Sequence, residues 1–70
     1  MTNSTEKEIA IISNEIGELK IKLYLIRCEL IVAPVFIKEA LIIEQGRIET
    51  DIRLKENRVQ NLKKGYFKIF

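Results

Sequence analysis

The residues best equipped for chemistry lie at the C-terminal end. Over residues 53–70, Arg53, Lys55, Arg58, Lys63, Lys64 and Lys68 stand against a single carboxylate, Glu56, a net charge of +5. Three of the chain's five aromatic residues, Tyr66, Phe67 and Phe70, are mixed with them. Cationic groups neutralise phosphates and aromatic rings stack on bases, so the mixture suits nucleic-acid contact. The same types serve as buried anchors when one protein docks into a groove of another. A third, plainer reading has the tail 65–70 pack on the end of the fold. The candidate binding residues are therefore Arg53, Arg58, Lys63, Lys64, Tyr66, Phe67, Lys68 and Phe70. Residues 1–32 carry a net −1 and residues 33–52 a net −2, leaving the chain at only +2. That balance favours a protein partner and keeps RNA or DNA as the alternative.

Catalysis has little to draw on. Histidine is absent, which removes the commonest general base and metal ligand. Gly17, Gly46 and Gly65 are too far apart to build a phosphate-cradling loop. Carboxylates such as Glu15, Glu18, Glu44 and Asp51 sit among polar neighbours, and the Glu-x-x-His spacing of a di-iron bundle cannot occur. The expectation is a non-enzymatic protein without cofactor or metal. The lone Cys28 cannot close an intrachain disulfide; it reads as a small hydrophobe in a reducing compartment.

The elements that position these residues are helical. Ile9, Ile12, Ile16, Leu19, Leu23, Ile26 and Leu30 alternate spacings of three and four, an unbroken heptad seam. Thr5 and Glu8 have the form of a capping box, placing the helix start near residue 6. Residues 19–25 also alternate like a strand, but the heptad spans a longer stretch and is preferred. Pro34 lacks a backbone N–H and pushes Ala33 out of the helical region, so a boundary falls there. A continuous helix kinked at Pro34 is the alternative.

The second seam, Leu41, Gln45, Ile48, Ile52, Lys55, Val59 and Leu62, is interrupted by two polar residues. Lys63 and Lys64 followed by Gly65 mark its end, with cations in the last turn and glycine suited to a left-handed stop. The chain thus predicts one all-α domain: a helix over about residues 6–31, a turn at 32–35, a helix over 36–64 and a tail at 65–70. Folding back at Ala33-Pro34 sets Leu19 against Ile48, Ile16 against Ile52, Ile9 against Val59 and Leu23 near Gln45.

That pairing leaves a second apolar stripe. Ile21, Leu25, Cys28 and Val32 line one face of the first helix, and Val35, Phe36, Ile42 and Ile43 continue it past the proline. A 70-residue chain without disulfide or zinc needs another source of stability. The expectation is a homodimeric four-helix bundle or higher helical oligomer, with these eight residues as the interface.

Compartment follows from what the chain lacks. The polar start offers no basic-then-apolar leader, and the longest uncharged apolar run, residues 30–37, is far short of the roughly twenty needed to span a bilayer. A cytoplasmic protein is expected. Shallow membrane insertion of the apolar tip is disfavoured by the acidic residues beside it.

Overall fold

A computed structural model describes residues 4–67. It contains two helices, α1 (Ser4–Val32) and α2 (Val35–Phe67), packed against each other as an antiparallel hairpin. The two lie side by side in a single layer 54 Å long, 18 Å wide and 12 Å thick. The residues that alternate like a strand, 19–25, are helical.

Only Ala33 and Pro34 connect the helices. The Pro34 carbonyl accepts hydrogen bonds from the backbone N–H of both Ile37 and Lys38, each at 3.0 Å. Pro34 therefore begins α2 as its cap residue, giving a carbonyl to the first turn while its missing N–H costs nothing. A kinked continuous helix is thereby replaced by a tight hairpin.

Both outer ends differ from expectation. Helix α1 already includes Ser4 and Thr5, and Glu8 is not held in a capping box. Its carboxylate instead accepts a 2.9 Å charge-assisted hydrogen bond from Arg58 Nη2 across the hairpin. At the other end α2 runs through Gly65 to Phe67, and no described glycine has positive φ. Glycine permits a left-handed stop without enforcing it, and neither Tyr66 nor Phe67 opposes another helical residue.

Every seam position of both helices is buried or half-buried, including Gln45 and Lys55. The core is Leu23, Ile48 and Ile52, with Ile16, Leu19 and Ile26 packed against it. Leu19 and Ile16 thus join the cluster of their expected partners Ile48 and Ile52, while Leu23, expected near Gln45, gathers with Ile48 and Ile52. Side chains of both antiparallel helices lean toward their own N-termini, which displaces side-chain partners from backbone register in this direction.

Candidate interaction surface

The hairpin buries little. Among the described residues only Leu23, Ile48, Ile52 and Val59 count as buried, at 6–8% exposure, and no side chain is fully enclosed. Two helices in one layer have one shared seam, and every other face meets solvent.

The stripe expected at an interface is exposed throughout: Ile21, Leu25, Cys28, Val32, Val35, Phe36, Ile42 and Ile43. On α1 Ala10, Asn14, Gly17, Ile21, Leu25, Cys28 and Val32, spaced three or four residues apart, form a charge-free row on the face turned away from α2. The corresponding face of α2 mixes the exposed apolar Val35 and Ile43, near the turn, with Glu39, Gly46, Thr50, Arg53, Asn57 and Lys64. Thr50 Oγ1 donates back to the Gly46 carbonyl at 2.9 Å, so its hydroxyl is satisfied within its own helix.

Further exposed hydrophobics, Ile11, Tyr24, Ile31, Ile37 and Leu54, belong to neither seam nor stripe. Their signal was present in the sequence as apolar residues off both patterns. Leu54 and Ile43 flank a shallow groove on α2 together with Gly46, Arg47 and Thr50. Around the turn, Ile31, Val32, Val35 and Phe36 stand 78–82% exposed, making the tip the most apolar part of the surface.

Charged side chains line the edges of the seam. Lys20 meets Glu56 at 3.6 Å and Arg27 meets Glu49 at 3.5 Å, spanning a cleft over Leu23 and Ile52. Asp51 and Lys55 form an i,i+4 pair at 3.5 Å within α2, whereas Glu49 reaches across to Arg27 and not to Arg53, four residues on in its own helix. The exposed pairs that cross the seam, Lys20–Glu56 and Arg27–Glu49, contribute about 0–1 kcal/mol each.

The basic C-terminal group is not gathered on one face. Arg53 and Lys64 share the outward side of α2, Lys63 projects beside them, and Arg58 turns to the opposite side to hold Glu8. Lys55 is half-buried and paired with Asp51. Of the aromatic tail, Lys68 and Phe70 lie outside the described residues, as do the side chains of Tyr66 and Phe67.

Comparison with known families, characterised proteins and solved structures finds no match. What the surface offers must therefore be judged from its own chemistry. Among the described residues no group of histidine, cysteine and carboxylate side chains is placed to hold a metal ion, and no helix is long and apolar enough to cross a membrane.

Proposed function

We propose that this chain is a non-enzymatic helical hairpin that self-associates and acts by binding another protein, as an adaptor or inhibitor. The observation that carries the reading is the set of large apolar side chains left exposed, among them Ile21, Leu25, Val32, Val35, Phe36, Ile42 and Ile43, on a hairpin whose total surface is also large for its mass. The hairpin exposes 5698 Å², whereas a typical folded monomer of its mass exposes roughly 4500 Å². The surplus of roughly 1200 Å² exceeds the roughly 800 Å² that each partner contributes to a standard interface. A contiguous apolar face of this kind marks an interaction site. An unpaired thiol at Cys28 fits a reducing, cytoplasmic setting.

A nucleic-acid role is the second reading, favoured by Arg53, Lys63 and Lys64, which are exposed and held by no ion pair among the described residues. Its weakness is that Arg58 and Lys55 are already neutralised. Size-exclusion chromatography with light scattering, recorded at 260 and 280 nm, separates the two. A nucleic-acid-free oligomer supports the protein-binding reading. Absorbance at 260 nm that co-elutes and is lost in high salt, with a slope reduced by neutralising Arg53, Lys63 and Lys64, replaces it with the nucleic-acid reading.

A further inference from the structure

The outward row of α1 has an internal symmetry that specifies how it is covered. We propose that a second copy of this chain packs on that row with its own α1 running antiparallel, the two-fold axis crossing α1 near residue 26. The inference rests on the self-association proposed above and adds the face, the direction and the pairing.

The first argument is apolar matching. The row is densest between Ile21 and Val32, and its midpoint falls between Leu25 and Cys28. A two-fold axis there sets Ile21 of one copy against Val32 of the other, and Leu25 against Cys28. These side chains are open to solvent in the single hairpin, with Ile21 63% and Val32 82% exposed. Toward the N-terminus the row continues as Gly17, where open space admits the second copy's turn, and Asn14 and Ala10 lie beyond it without stranding a charge.

The second argument is charge. Lys22 and Glu29 lie seven residues apart on one flank of the row, both exposed, and neither is ion-paired with another described residue. In an antiparallel pair of identical helices each flank faces its own counterpart, so Lys22 meets Glu29 of the second copy and the reverse contact forms by symmetry. Glu15 and Glu18, the remaining carboxylates of that flank, then come opposite the uncharged turn of the second copy. A parallel arrangement would place this flank against the one carrying Lys20 and Arg27, and those cations are already committed to Glu56 and Glu49 of α2. The charge pattern is therefore self-complementary in the antiparallel direction, which points to another copy of this chain as the occupant.

The test uses the full chain at low ionic strength. Lys22→Glu alone and Glu29→Lys alone each set like charges together at both symmetry-related contacts, and each weakens the dimer about tenfold, equivalent to ~1.4 kcal/mol. An equimolar mixture of the two variants recovers association to within about threefold of the unaltered chain, since attraction returns at both contacts. Nitroxide labels on Ser13→Cys in a Cys28→Ser background lie about 40 Å apart in the antiparallel dimer, from the helical rise of 1.5 Å per residue. In a parallel dimer they lie within about 15 Å, close to the spacing of packed helices. A dimer whose mixture fails to recover, or whose labels are close, overturns the antiparallel pairing and leaves self-association standing. A chain that remains monomeric in light scattering overturns both.

Discussion

Helices α1 and α2 share a seam and differ on their backs. The outward face of α1 is a row without charge from Ala10 to Val32, while that of α2 is apolar only near the turn, at Val35 and Ile43, and carries Glu39, Thr50, Arg53, Asn57 and Lys64 along its length. A helix with a charge-free row opposite its seam is suited to the middle of an assembly, and one whose back carries charges along most of its length is suited to its outside. The asymmetry between the helices therefore carries more information than the seam that joins them. In the proposed dimer the two α1 helices lie at the centre and each α2 forms an outer cover, with its cations and polar residues facing solvent.

The sharpest way to break this comparison is to place the same charge on each back. Leu25→Asp puts a carboxylate at the centre of the proposed contact and should weaken dimerisation by at least about 3 kcal/mol, more than a hundredfold in dissociation constant. Asn57→Asp on the back of α2 should leave the dissociation constant within about twofold, as most surface changes do. Analytical ultracentrifugation of both variants reads the difference, and equal effects would remove the distinction between the two helices.

Next in size is the shared seam. Ile52 is 8% exposed and belongs to the central cluster, so Ile52→Ala should cost about 2–3 kcal/mol in urea unfolding followed by circular dichroism. Loss of helicity without a selective loss of association would separate the seam's role from that of the α1 back.

Gly46 gives a change of the opposite sign. It lies inside α2 on the polar back, and a methyl group added there meets nothing within 4 Å. Gly46→Ala should raise stability by about 1 kcal/mol through helix propensity alone. A destabilised variant would reveal a close neighbour on a face assigned to solvent.

The smallest effect is expected at the edge bridges. Arg27→Ala removes the exposed pair with Glu49 and should cost about 0.5 kcal/mol, declining as salt is added. A cost that persists at high salt would mean the Arg27 stem contributes packing over the cleft.

Much of this fold was legible in the sequence, and the reason is periodicity. The positions from Ile9 to Leu30 and from Leu41 to Leu62 that repeat every three and four residues are the ones withdrawn from solvent, because a helix gives the same face to each of them. Pro34 marked the turn correctly because its missing N–H is tolerated only where a helix begins. The ends were less legible. Thr5 with Glu8 and Lys64 with Gly65 are local patterns, and Glu8 is diverted by Arg58, a residue fifty positions away. Of the expected pairings, Leu19 with Ile48 and Ile16 with Ile52 meet in one cluster, while Leu23 gathers with Ile48 and Ile52 and not with Gln45, because the lean of side chains decides which residues touch.

The candidate surface was legible in part for the same reason. The stripe from Ile21 to Ile43 stood out as apolar residues surplus to the seam, and the hairpin leaves all of it exposed. Leu54 and Ile31 escaped notice because each stands alone outside a repeat. The basic cluster read as one patch along the chain, but the turn of the helix carries Arg58 away from Arg53 and Lys64.

The most direct test of the central claim, that the back of α1 is covered by a second copy, is the mass of the unmodified chain by sedimentation equilibrium over a range of concentrations. A species of twice the 8.2 kDa chain mass, dissociating only on dilution, is the expected result. A folded helical species that stays at 8.2 kDa at every concentration would contradict it, leaving that face of α1 to a different protein.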